Sequence, residues 1–257
     1  MSIRVPRSTK RTDLTGQRTA YVGKRSGKED RAMVRKSLNY LRGNILLQIM
    51  LLYGIFYQIV FFWLERRNVR IHLITSELDE EIPFCEYFIV PYFLWFIYIG
   101  VTAVYFICMN KDYEESKKYV LSFCAGMTVF LLVSLIYPNG QNLRPQLGPG
   151  GSVFIEAVRL LYRIDTPTNI LPSMHVYVTV ANSIALCRQE TIRKRKCLAA
   201  GIWVLSISII LSTLFLKQHC VLDVISALGL NAVCFRLVYR RERFYLYGRD
   251  KRRLESA

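Results

Sequence analysis

Six apolar stretches of similar length punctuate this chain: Ile45 to Trp63, Tyr87 to Met109, Tyr119 to Tyr137, Leu171 to Cys187, Leu198 to Leu216 and Cys220 to Tyr239. Each approaches the roughly 20 residues a helix needs to cross a bilayer core about 30 Å thick. The chain is 52% hydrophobic yet carries 35 Lys and Arg against 19 Asp and Glu. A soluble domain is rarely both so apolar and so basic, whereas a membrane protein segregates the two properties along its length. The expected fold is therefore all-α: a polytopic membrane protein with six transmembrane helices in one bundle over residues 43–239. A flexible, disordered basic leader, 1–42, and a basic tail, 240–257, flank it. The fourth run is short and contains Thr179, Asn182 and Ser183, so it is read as an interior helix facing its neighbours or a watery pocket.

Basic residues set the expected orientation. The leader up to Arg42, the turns Lys111 to Lys118 and Arg188 to Lys196, and the tail from Arg240 hold most of the Lys and Arg. The alternate segments hold few, so both termini are expected in the cytoplasm of an integral, multi-pass cell-membrane protein. The leader is too long and too polar at its front for a cleavable signal peptide, and the first span should remain as an anchor. A net charge of +16 invites a nucleic-acid reading. Because the basic residues flank apolar spans and form no recognisable reading module, no nucleic-acid partner is expected; they are read as a topology signal and an attraction to anionic headgroups at the cytoplasmic face. The seven cysteines are scattered without metal-binding spacing, so they are read as small buried apolar groups, with neither a zinc site nor a disulfide framework.

Two outward segments hold the unusual chemistry. The first, Glu65 to Cys85, contains His72 and the acidic run Glu77, Asp79, Glu80 and Glu81; paired carboxylates could bind a cation, but such a run is read here as a solvated loop. Part of it, Val69 to Leu78, is a candidate to lie along the membrane surface. The second, Pro138 to Ile170, opens YPNGQNLRP and continues through LGPGG, where glycines and prolines are expected to exclude regular structure. Val153 to Ile164 then shows the apolar spacing of a short interfacial helix.

Three groups of residues sit at outward span ends. In KQHCVLD (Lys217 to Asp223), a helix would set His219 and Asp223 one turn apart on the same face. The carboxylate can then hold the proton of one ring nitrogen and leave the other free to attack. Pro172 suits the first turn of a helix, which puts the amides of Ser173, Met174 and His175 at an N-terminus that favours an anion. Ser173 adds a hydroxyl donor and His175 a general acid. Arg144 supplies a permanent charge with a fork that matches two phosphate oxygens. Taken singly each has a plainer reading: an interfacial arginine, a capping histidine, a helix-surface pair.

Taken together, NLRP (Asn142 to Pro145), PSMH (Pro172 to His175) and HCVLD (His219 to Asp223) resemble the three ordered signature motifs of the type-2 phosphatidic acid phosphatase superfamily. That superfamily includes lipid phosphate phosphatases and sphingomyelin-synthase-like phosphotransferases. The resemblance covers roughly Tyr119 to Tyr239. It implies an outward-facing site with His219 as nucleophile forming a phosphohistidine, Asp223 orienting it, and His175 protonating the leaving oxygen. It also implies that Arg144 and the Ser173 to His175 amides bind the phosphoryl oxygens of a phosphorylated lipid. No metal or other cofactor is implied. The chain departs from the pattern at Tyr137, where the family has lysine, at Met174, usually glycine, and at Ser212 and Thr213, usually Ser-Arg. Lys217 is a candidate to replace one missing cation. Hydrolysis of a lipid phosphoester or pyrophosphate is the leading expectation. Transfer to another lipid is the rival within the class, and a non-catalytic transporter or scaffold the rival outside it.

Overall fold

The computed structural model describes residues 43–239; the expected leader, 1–42, and tail, 240–257, lie outside them. The chain separates into two units, residues 1–48 and 49–257. In the first, Asn44 starts a helix: its side-chain oxygen accepts from the Leu47 amide at 3.1 Å and its carbonyl from the Gln48 amide at 3.1 Å.

The helices among the described residues are α1 (Ile45–Glu65), α2 (Glu77–Glu81), α3 (Ile89–Val104), α4 (Tyr113–Ile136), α5 (Val153–Ile164), α6 (Met174–Arg188), α7 (Glu190–Arg193), α8 (Lys196–Phe215) and α9 (Val221–Tyr239). A short 3-10 turn, Glu86–Phe88, leads into α3, and a π turn, Tyr105–Met109, ends it. Five helices are long and apolar enough to cross a membrane: α1, the Glu86–Met109 stretch built on α3, α4, α8 and α9. Helix α6 has only 15 residues, which at 1.5 Å each is about 22 Å, short of a bilayer core of about 30 Å. The expected fourth span thus appears as a shorter helix. The reason is local: Ser173 is the N-cap, so Pro172 stands before the cap and not in the first turn where it was expected.

As its polar residues suggested, α6 lies inside. Ten of its 15 side chains are buried, and it packs against α3, α4, α8 and α9. Close approach to α4 requires glycine at 126, since a Cβ there would overlap the ring of Tyr177. The Tyr177 hydroxyl donates to the Ser122 carbonyl at 2.7 Å, and Asn231 Nδ2 donates to the Tyr177 carbonyl at 3.1 Å. Tyr98, Ser183 and Ser206 form a hydroxyl chain with spacings of 2.9 and 2.5 Å. These polar groups are met by one another, as a helix among helices requires, whereas Asn182 is buried with neither of its side-chain polar atoms partnered.

One departure from an all-α fold ties the outward segments together. His72–Leu73 (β1) pairs in parallel with Asn139–Gly140 (β2), and Gly140 bridges to Thr168. Regular structure therefore occurs where glycine and proline were expected to exclude it. A Cβ on Gly140 would come 2.8 Å from the Pro167 carbonyl oxygen and 2.9 Å from the Ile71 side chain, so this crossing needs the smallest residue. Helix α5 has the bounds its apolar spacing predicts. Of the cysteines, Cys220 and Cys234 are buried as expected, whereas Cys108 and Cys197 are exposed.

Candidate active site

The site is assembled where the segments before α6 and α9 meet. At the start of α6, Ser173 Oγ accepts from the Val176 amide at 3.3 Å, and the Ser173 amide donates to the Asp223 carbonyl at 3.2 Å. Ser173 is thus a cap and a link to α9; its amide, expected to face an anion, is taken. Met174 and His175, the first two residues of the helix, hold amides that have no acceptor within the helix.

The segment from Leu216 to Cys220 is held from two sides. The amides of Gln218 and His219 both donate to the Thr213 carbonyl, at 2.9 and 3.1 Å. Lys217 takes a left-handed backbone with φ of 52°, and its ammonium donates to the Asp79 carbonyl at 2.5 Å. The Asp79 carboxylate accepts from the Val221 amide at 2.7 Å and from the Ser76 amide and hydroxyl at 2.7 and 2.8 Å. Asp79 was expected in a solvated loop; it is 1% exposed and caps α9. Burial lowers the pKa of Lys217, against a smaller opposing pull from Asp79. His72, from the same loop, stacks on Tyr137 with ring centres 4.7 Å apart.

These supports align three side chains. His175 Nδ1 lies 3.1 Å from His219 Nε2, and His219 Nδ1 lies 3.2 Å from Asp223 Oδ2. Asp223 Oδ2 also accepts from the Cys220 amide at 3.0 Å, and the residue is fully buried. An ionised carboxylate can only accept, so it fixes the proton of His219 on Nδ1 and leaves a lone pair on Nε2. His175 Nδ1 is then the donor to that lone pair. The His175 ring packs against Trp95 and Tyr92, with centres 4.1 and 4.8 Å away.

Arg144 is drawn in by neutral oxygens. Its Nη1 donates to the Asp165 carbonyl at 2.7 Å and the Tyr162 carbonyl at 3.4 Å, and Nη2 donates to Gln218 Oε1. The guanidinium lies 4.6 Å over the Tyr162 ring, and its Nε is buried without a protein partner. Among the described residues no carboxylate forms an ion pair with it. Burial lowers its pKa, and the nearby Asp165 opposes that shift. A half-buried cation that hydrogen-bonds only to neutral acceptors is set up to receive an anion.

His175, His219, Gln218, Met174 and Asp165 share a cleft of about 370 Å³, whose other walls include Tyr57, Phe61, Phe62, Phe96 and Phe130. His175, His219 and Asp223 are therefore brought into direct contact, and Arg144 joins them through Gln218. Lys217 is directed to Asp79 instead. Three participants escaped the sequence reading. Asp79 was hidden in an acidic run, and Gln218 is an amide beside a histidine. Asp165 lies in the stretch IDTP; its carboxylate accepts from the Tyr92 hydroxyl at 3.2 Å, and burial raises its pKa against the opposing pull of His219 and Arg144. No family model, curated protein or solved structure matches the chain.

Proposed function

We propose that this chain is a membrane lipid phosphatase of the type-2 phosphatidic acid phosphatase kind, acting through a phosphohistidine on His219. The observation that carries this reading is the row His175, His219, Asp223, with contacts of 3.1 and 3.2 Å, beside an aromatic cleft that suits acyl chains. In the proposed topology α6 completes a set of six membrane helices, both termini are cytoplasmic, and the cleft opens to the outer face. Support for that orientation comes from the basic residues of the opposite turns.

In the reaction, His219 Nε2 forms a bond to phosphorus as the ester P–O bond breaks. Arg144 and the amides that begin α6 stabilise charge on the phosphoryl oxygens. At rest His175 donates its proton to the nucleophile's lone pair. A phosphoryl anion entering between the rings makes them part and claims the lone pair; beside that anion His175 takes up a second proton, and as the imidazolium it gives its Nδ1 proton to the leaving oxygen and returns to neutral imidazole. Water then attacks phosphorus, His175 takes its proton, and the N–P bond breaks. A second reading, transfer to a lipid alcohol, shares the first half of this reaction and differs only in what attacks the phosphohistidine.

Purified protein incubated with a phosphorus-labelled lipid, with and without an added lipid acceptor, separates these readings. Phosphate release without acceptor indicates hydrolysis, and product formed only with acceptor indicates transfer. Turnover that survives in both His175→Ala and His219→Ala would overturn the phosphohistidine, and a wild type that turns over no lipid while both variants keep its cellular role would leave a transporter or scaffold.

A further inference from the structure

Gln218 stands between the cation and the nucleophile. It precedes His219 in the chain, and its Oε1 accepts from Arg144 Nη2. A guanidinium can only donate, so this contact fixes which end of the amide faces Arg144 and leaves Nε2 at the other end. Gln218 is 2% exposed, lines the cleft, and has Nε2 buried with no partner in the protein. Trp95 repeats the pattern: it lines the same cleft, and its indole Nε1 is also buried without a partner. Buried donors of this kind are costly to leave unpaired and mark a place for an acceptor.

The charges beside those donors are sparse. Among the described residues no Lys or Arg lines the cleft; Arg144 is tied to it through Gln218, and the Lys217 ammonium is committed to the Asp79 carbonyl at 2.5 Å. The Asp165 carboxyl lines the cleft as well. A phosphate monoester carries about −1.5 to −2 charges at neutral pH. A phosphodiester carries a single negative charge and presents two non-bridging oxygens as acceptors.

We propose that this is a one-cation phosphoryl site in which Gln218 Nε2 is a neutral ligand of a non-bridging oxygen, and that it takes a singly charged phosphodiester in preference to a doubly charged monoester. The proposal rests on the phosphohistidine reading given above. In the diester reaction, the N–P bond to His219 forms as one ester P–O bond breaks. His175 protonates the departing alkoxide, and the second alcohol stays on phosphorus. Water or another alcohol then displaces His219 and gives its proton to His175.

The test uses the full chain purified in detergent. It is assayed at pH 8 in mixed micelles with phosphatidylglycerol or with phosphatidic acid of the same acyl chains, and products are read by mass spectrometry. Wild type is expected to show kcat/KM at least about tenfold higher for phosphatidylglycerol, the scale of one charge-assisted contact. Gln218→Met keeps the size, removes the donor, and should lower that kcat/KM about tenfold to a hundredfold. Gln218→Lys adds a second cation and should shift the ratio at least about tenfold toward phosphatidic acid; simple damage to the site lowers both rates and leaves the ratio alone. Faster turnover of phosphatidic acid by wild type overturns the proposal and leaves the phosphohistidine reading standing. An unmoved ratio in an active Gln218→Lys variant also overturns it. If wild type turns over neither lipid and forms no phosphohistidine, the underlying reading fails and takes this one with it.

Discussion

Helices α1 and α6 are both apolar runs, but they do opposite things. From residue 49 onward α1 buries only Leu64 and leaves side chains such as Leu52 and Ile59 at 69% and 65% exposure. Helix α6 buries ten of 15 and holds His175 in its first turn, behind the Ser173 cap. A helix that presents leucines outward tolerates changes among apolar groups, since lipid is as apolar as the side chain. A helix enclosed by four others is fixed by close packing and internal hydrogen bonds, and so can hold an imidazole in one place. The less hydrophobic helix, shorter than a bilayer core, is the one that holds His175 against His219.

The contrast can be broken or sharpened in five steps. The largest effect is expected from Asp223→Asn, which places a donor where His219 needs an acceptor and selects the wrong tautomer; kcat should fall by about 10³ to 10⁴ with the fold intact. Lipid turnover and a circular dichroism melt together check this. Gly126→Leu drives a side chain into the Tyr177 ring and should destabilise the protein by about 1–3 kcal/mol, read by thermal unfolding in detergent. Asp79→Ala removes the acceptor of the Val221 amide and should cost about 1–2 kcal/mol, with some loss of turnover because the His219 segment is released.

Asp165 gives a pH signature. Burial raises its pKa, so the folded chain holds the proton more tightly than the unfolded one. Its contribution to stability is fully present below the unfolded carboxylate value of about 3.9 and falls as pH rises through the higher folded value. Asp165→Asn should flatten that slope in melts taken across the acidic range. The smallest effect belongs to Leu52→Ala on α1, within about 0.5 kcal/mol. A loss as large as that of Gly126→Leu would show that α1 is packed against protein after all.

Much of the fold was legible because crossing a membrane demands length and apolarity, and both are local properties. The five long helices follow from that, and α5 follows from its apolar spacing. The pairing of His219 with Asp223 was expected from one helical turn, but α9 begins only at Val221, and Asp223 instead reaches back over the start of α9 to meet both His219 and the Cys220 amide. What stayed hidden depends on contacts between distant segments. Asp79 reads as a solvated charge until it meets the Val221 amide, 142 residues away. Asn139 and Gly140 read as an irregular turn until β1 arrives beside them. Pro172 was assigned to the first helical turn on general preference, yet Ser173 takes the capping position, because its hydroxyl can accept from the Val176 amide and its own amide reaches Asp223. Gln218 carries no charge and has no periodicity, so only its position between Arg144 and the cleft reveals it.

In the proposed reaction His219, aligned by Asp223 and backed by His175, attacks phosphorus. The most direct test of that attack is to quench the protein during turnover of a phosphorus-labelled lipid and locate the label by peptide mass spectrometry under alkaline conditions. Acid-labile phosphate is expected on His219, absent in His219→Ala and accumulating in His175→Ala when the substrate carries a leaving group acidic enough to depart without protonation. Turnover without label on His219, or label retained in His219→Ala, would contradict it.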